Sequence, residues 1–208
     1  MLKPVHAEIT RNALRGIFSD QALESIIAAN LRQDRLFALI GHDEYHFDSN
    51  AFDESHAYLE EQRDLTISSL EAHNVPSAWS AFGRLIHTAQ DFYAHSNYID
   101  LWLSCQPDGT LPTPMDVDPL DEDLIRTRAL RSGRIYLLLE VLYLVRPFRS
   151  IALRLSPRDS HAWMNLDSAE QGPNFKYAFQ AAVKRTKIEF NKSVPNLSQD
   201  LLKSFTDM

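Results

Sequence analysis

A single cysteine, Cys105, in 208 residues excludes an internal disulfide and any thiolate-built zinc finger, so metal would have to bind through His, Asp and Glu. Six glycines are too few for an all-β chain with its many turns. There is no excess of base either. Lys and Arg number 21 against 28 Asp and Glu, a net charge of −7, which offers duplex nucleic acid no general counterion-releasing footprint. Nor is there a long apolar run. The longest, Ile135 to Val145, is interrupted by Glu140 and falls short of the roughly 18–20 residues that span a bilayer, so it reads as a central buried helix. The opening residues, MLKPVH, hold no apolar leader core. A cytoplasmic location is expected, with export by an unconventional route left open.

What is present points to helices. Hydrophobic content of 44% over this length predicts one all-α domain over residues 1–208 with a sizeable core. Apolar spacing places a helix over Ala7–Phe18, then one capped by Ser19 that continues through Leu31 to Phe37. Gly41–Asn50 is polar and aperiodic, hence a loop. A third helix is expected over Asp53–Ala72. A fourth, capped by Asn74 with Pro76 in its first turn, is expected over Pro76–Leu103. Residues 106–123 carry four prolines and six acidic residues and read as an exposed lid or partner-facing insertion. Helical pattern resumes over Leu124–Val145, with a break at Ser132-Gly133 left open, and ends before Pro147. A loop over Ser156–Pro173 precedes helices near Phe175–Phe190 and Leu197–Phe205.

The chemistry concentrates on the fourth helix. His87, Asp91 and His95 are four residues apart and share one face. At 1.5 Å per residue the two histidines stand about 12 Å apart along the axis, too far for one ion. Asp91, midway, can bridge two cations. Apolar neighbours Ile86, Phe92 and Tyr93 bury this helix, and three ionisable groups in a buried helix need partners, for which metal is the economical choice. Further ligand-type residues stand at His6, at Asp34, in the loop at His42, Asp43, His46 and Asp48, and late in the chain at His161 and Asp167. His46 and Asp34 are the stronger of these. His56 and His73 are left to ordinary structural roles.

The stretch Gly83–Tyr98, GRLIHTAQDFYAHSNY, resembles the signature of Het-C-type proteins, the heterokaryon-incompatibility group. Val5–Leu14 (VHAEITRNAL), Tyr45–Asp48 (YHFD) and Ser160–Ser168 (SHAWMNLDS) follow the same pattern. More distantly the ligand order is similar to the zinc-dependent phospholipase C and single-strand nuclease superfamily. That resemblance implies an all-α, phospholipase C-like fold with two or three zinc ions between its helices. The first would be held by Asp34, His46, His87 and Asp91, the second by His95, His161 and Asp167, the third by His6 with bridging Asp91. It departs from the pattern at the N-terminus, which lacks the superfamily's tryptophan, and at Asn165, where the superfamily has a carboxylate.

The resemblance implies zinc-assisted hydrolysis of a phosphodiester, phospholipid or nucleotide, with Asp34 as the base. It also admits a non-catalytic, metal-stabilised effector or recognition role acting through peripheral membrane or protein contacts.

Overall fold

The computed structural model describes residues 1–34, 41–107, 109, 111–136, 138–139, 142 and 145–208. The expected continuation of the second helix to Phe37 lies outside them, as does Glu140 of the longest apolar run. Among the described residues there is no strand, only the isolated bridges Arg15–Phe18, Ser96–Ser132 and Arg134–Ser160. The fold is all-α.

Five helices build the core. In α1 (Lys3–Leu14) a proline occupies the first turn, where its missing N–H costs little. In α2 (Asp20–Arg32) the Ser19 hydroxyl accepts the Ala22 N–H at 3.1 Å. The helix α3 (Phe52–Glu71) follows the ligand-rich loop. At the start of α4 (Val75–His95) the Asn74 side chain accepts the Ser77 N–H at 3.3 Å. Every residue of α4 from Leu85 to His95 is buried, because α2, α3 and α9 (Phe175–Ser193) pack around it while α1 closes against α2 and α9. Helix α2 crosses α4 at Gly83, where an added Cβ would meet Ala29 Cβ at 2.5 Å and Ile26 O at 2.6 Å. The crossing therefore requires glycine. The buried rings of Phe18, Phe82, Phe190 and Phe205 pack edge-on and stacked at the end of α4 remote from His95. Each contributes roughly 1.5–3 kcal/mol of apolar burial.

The smaller elements are α5 (Tyr98–Ser104), α6 (Glu122–Arg126), α7 (Arg149–Leu155), α8 (His161–Met164) and α10 (Gln199–Thr206).

The expected helix Pro76–Leu103 is two helices, broken after His95. Ser96 is extended (φ −113°, ψ 165°), its hydroxyl donates to Phe92 O at 2.5 Å, and Asn97 clips onto Ala129 O and Arg131 N. The expected helical stretch Leu124–Val145 is interrupted over a wider span than a break at Ser132-Gly133: α6 ends at Arg126, Ser132 and Arg134 make bridges to Ser96 and Ser160, and Leu138, Leu139 and Leu142 are again helical. Among the described residues of the apolar run, Leu138 is 77% exposed, so the run is no buried helix there. The acidic, proline-rich segment is fastened rather than free. Tyr93, Tyr98 and Tyr177 donate to Pro119 O, Asp118 O and Pro112 O at 2.5, 2.7 and 2.7 Å, Lys184 donates to Met115 O and Val117 O, and Val117 is fully buried.

Candidate metal centre

The eight residues of the expected ligand set meet at the C-terminal half of α4. His6 arrives from α1, Asp34 from just beyond α2, His46 from the loop, His87, Asp91 and His95 from α4, His161 as the first residue of α8, and Asp167 from the turn after it. Two groups have ligand atoms close enough together to hold a metal ion: His6, Asp34, His87 and Asp91, and beside them Asp48, His95 and His161. Asp91 lies between the two. Its Oδ2 is 3.1 Å from His87 Nε2 and 2.9 Å from His46 Nδ1, and its Oδ1 is 3.2 Å from His6 Nε2 and 3.9 Å from His95 Nε2. Asp167 Oδ1 stands 3.2 Å from His95 Nε2.

The surrounding hydrogen bonds fix which ring nitrogens carry protons. The hydroxyls of Thr10 and Thr186 donate to His6 O and Ala182 O, both at 2.8 Å, so their oxygens can only accept further bonds. Gln90 Nε2 donates to both, at 3.1 Å, which turns Gln90 Oε1 toward Asn30 Nδ2 at 3.1 Å and His6 Nδ1 at 2.6 Å. Asn30 Oδ1 then faces His87 Nδ1 at 3.2 Å. Both histidines therefore donate Nδ1–H outward and aim the Nε2 lone pair at the carboxylates. His95 does the same, its Nδ1 donating to His46 O at 2.9 Å.

Lone pairs facing carboxylate oxygens repel unless a cation lies between them. His6 Nε2, 3.2 Å from Asp91 Oδ1, has no hydrogen-bond partner among the described residues, nor have the buried His46 Nε2 and Asp34 Oδ2. Such orphaned acceptors, at the meeting point of four carboxylates and five imidazoles, could coordinate divalent ions. The donor set of imidazole nitrogen and carboxylate oxygen suits zinc and its neighbours in the first transition row. Four negative charges balance two divalent ions.

Without metal, protons take up part of that role. Burial lowers the pKa of His87 to about 4, against the opposing pull of Asp91, and lowers that of His6. Burial works against protonation of His95 and His161 as well, but Asp48 and Asp91 raise His95 well above the usual imidazole range and Asp48 raises His161. Burial likewise disfavours the charged form of Asp91, and the Met1 amino group, His95, His6 and His87 more than reverse this, so its carboxyl is held well below the usual range. The Met1 amino group contacts Asp91 Oδ1 and sits 3.2 Å from Asp167 Oδ1. These carboxylates raise its pKa to about 11 despite its burial.

Asp48 was noted in the sequence as a ligand-type loop residue but left out of the expected ligand set. It accepts from His161 Nδ1 at 2.8 Å and lies 3.4 Å from His95 Nδ1. What places it is the intervening Phe47, left-handed at φ 56° and anchored by ring contacts to Phe92 at 5.0 Å and Phe52 at 6.0 Å. A bulky residue held in that conformation costs roughly 1–3 kcal/mol, which the surrounding packing must offset. Of the aromatic residues that could have lined an approach, Phe47, Tyr93 and Tyr98 are core. Tyr45 lies on the surface between His42 and Tyr58, each ring 4.4 Å away. His42 itself pairs with Glu44, outside the cluster.

The strap Ser132–Arg134 ties the second group together. Gly133 N donates to His95 O at 2.9 Å, Ser49 N to Gly133 O at 2.8 Å, and His161 N to Arg134 O at 2.9 Å. A Cβ on Gly133 would meet His161 Cα at 2.6 Å. Glycine is needed there for the strap and α8 to touch.

Residues 5–114 match the VWA7 N-terminal domain family, and since this is over half of the chain, the chain belongs to that family. The matched stretch takes in His6, Asp34, His46, Asp48, His87, Asp91 and His95 and stops before His161 and Asp167. The von Willebrand factor A domain-containing protein 7 of Rattus norvegicus is 32% identical over 80 residues, which are 38% of this chain and 9% of the rat protein. The chain thus spans less than a tenth of that relative. No solved structure matches. The family match overturns the resemblance to Het-C-type proteins and to the phospholipase C and single-strand nuclease superfamily. At the centre of the blocks that carried that resemblance, the stripe His87, Asp91 and His95 is what any helix needs to present three ligand-type side chains on one face, and it does not single out one family.

Proposed function

We propose that this VWA7 N-terminal family chain is a zinc-dependent phosphodiester hydrolase. The observation that carries the proposal is the set of buried imidazole Nε2 atoms of His6 and His87 turned toward the carboxylates of Asp91 and Asp34, with Asp34 Oδ2 left without a partner. Two adjacent ligand groups joined through one carboxylate suit a pair of ions, an arrangement that goes with displacement at phosphorus. When bound, such ions supply Lewis acidity toward phosphate oxygens and an activated water.

The protein's own groups divide the remaining work. Asp91 holds the two halves of the centre in register, and Gln90, Asn30 and the His46 carbonyl orient the imidazoles. Asp34, His161 and Asp167, with side chains 15%, 18% and 19% exposed, form the solvent side of an otherwise closed cluster. Asp34 Oδ2 is free to take the proton of an attacking water. A cavity of about 690 Å³ is lined by Gln33, Tyr45, Tyr58, Arg84 and the acidic Glu44, Glu54 and Glu61, none of them a residue of the cluster.

The complete burial of His6, His87 and Asp91 supports a second reading, a metal that only stabilises a non-catalytic domain, since structural sites are closed. The full chain assayed with bis-p-nitrophenyl phosphate and with phosphatidylcholine separates the two. The hydrolase reading expects turnover that a chelator abolishes and zinc restores, and that Asp91→Asn loses. A metal-loaded protein inert on both substrates assigns the structural role. A protein that retains no metal defeats both readings.

A further inference from the structure

The segment Leu124–Arg158 differs in charge from the rest of the molecule. It holds eight arginines, no lysine and one acidic residue, Glu140, in a chain whose net charge is −7. Arg126, Arg128, Arg131, Arg134, Arg154 and Arg158 are exposed. The same segment displays apolar side chains. Phe148, Ile151 and Leu155 are 47%, 52% and 63% exposed, and at positions i, i+3 and i+7 they fall within about 60° of one another around α7. Ala152, on the adjoining side, is fully buried. Helix α7 therefore turns part of its apolar surface outward. Nearby, Trp163 is 40% exposed, donates its indole N–H to Leu153 O at 2.9 Å and carries the Arg158 guanidinium 3.9 Å above its ring.

We propose that this face docks on an anionic phospholipid bilayer. Outward Phe, Ile and Leu beside a tryptophan, fringed by arginine, is the composition of an interfacial helix, with apolar side chains at acyl depth and guanidiniums on the phosphates. Arginine matches phosphate oxygens with a planar fork that lysine lacks, and every cation in the segment is arginine. The exposed apolar side chains amount to roughly a few hundred Å², short of the ~800 Å² per partner of a stable protein interface. No described helix is long and apolar enough to cross a membrane, and the proposed contact is a peripheral one. The proposal does not require the metal centre to be active.

The test is flotation of the full chain with phosphatidylcholine vesicles containing about 30% phosphatidylserine, at low and high salt and with or without chelator. Two double variants are compared after their circular dichroism and thermal transitions are matched to wild type: Phe148→Ser with Leu155→Ser, and Arg154→Glu with Arg158→Glu. Wild type is expected to float with the anionic vesicles, more weakly with pure phosphatidylcholine and at high salt, and equally with or without chelator. Each double variant is expected to lose about tenfold or more in binding. Failure of wild type to bind at low salt overturns the proposal, and so does binding as strong as wild type by either double variant. If light scattering instead shows self-association that the Phe148→Ser, Leu155→Ser pair abolishes, with no vesicle binding, the face belongs to a second copy and the proposal fails.

Discussion

Gln90→Leu is the perturbation that most sharply probes how the histidines are held. Gln90 is fully buried and uses its amide completely, accepting from His6 Nδ1 and Asn30 Nδ2 and donating to Thr10 and Thr186. Leucine fills nearly the same volume, so little of the cost comes from a cavity. The two threonines keep their own bonds to backbone carbonyls and lose only one accepted bond each. The stranded groups are the His6 Nδ1–H, which loses its 2.6 Å acceptor, and the Asn30 amide, left with Thr10 Oγ1 at 3.5 Å. At about 1–3 kcal/mol per stranded buried donor, the metal-free protein should lose roughly 2–5 kcal/mol. Removing the group that fixes the His6 tautomer should also weaken metal binding about 10- to 100-fold. Urea denaturation in excess chelator reads the first effect, and competition with a chromophoric chelator reads the second. A variant within about 0.5 kcal/mol of wild type, with unchanged metal affinity, would refute the assignment of both His6 nitrogens.

Gly133→Ala should push the strap away from His161, because the new Cβ would lie 2.6 Å from His161 Cα. We expect a stability loss of about 1–3 kcal/mol and, by elemental analysis, loss of metal from the Asp48, His95 and His161 group alone; unchanged metal content would contradict it. Glu189 gives a pH dependence. Burial would raise its pKa, but the Arg185 and Arg63 guanidiniums hold it below its ordinary 4.5. A depressed folded-state pKa adds stability above the ordinary value, and that stability is lost as pH falls through the folded value. The urea midpoint of wild type should therefore fall on acidification below about pH 4.5, and Glu189→Gln should be less stable at pH 7 with a flatter acid limb. Acid limbs that superimpose would rule out this contribution.

The candidate ligands were legible because metal chemistry constrains residue type. A chain with one cysteine must use His and carboxylate, and the 3.6-residue repeat puts His87, Asp91 and His95 on one face. Helix starts were legible where a side chain signals them, as at Ser19 and Asn74. What stayed hidden was set by distant contacts. The end of α4 at His95 depends on Asn97 and Gly133 finding partners more than 30 residues away in either direction of the strap. Asp48 reaches the site only because Phe47 is locked in a left-handed conformation against Phe52 and Phe92. The run from Ile135 reads as core by hydropathy, yet Leu138 and Val145 face outward, because hydropathy alone does not say which side of a segment the tertiary packing covers.

Every functional step here rests on the lone pairs around Asp91 facing cations rather than one another. Elemental analysis of the purified full chain after dialysis, alongside Asp91→Asn, measures this directly. The account predicts about two divalent ions per chain, with zinc predominant, and a marked loss in the variant. A wild-type protein that retains no stoichiometric metal, and whose unfolding is the same with and without chelator, would contradict it.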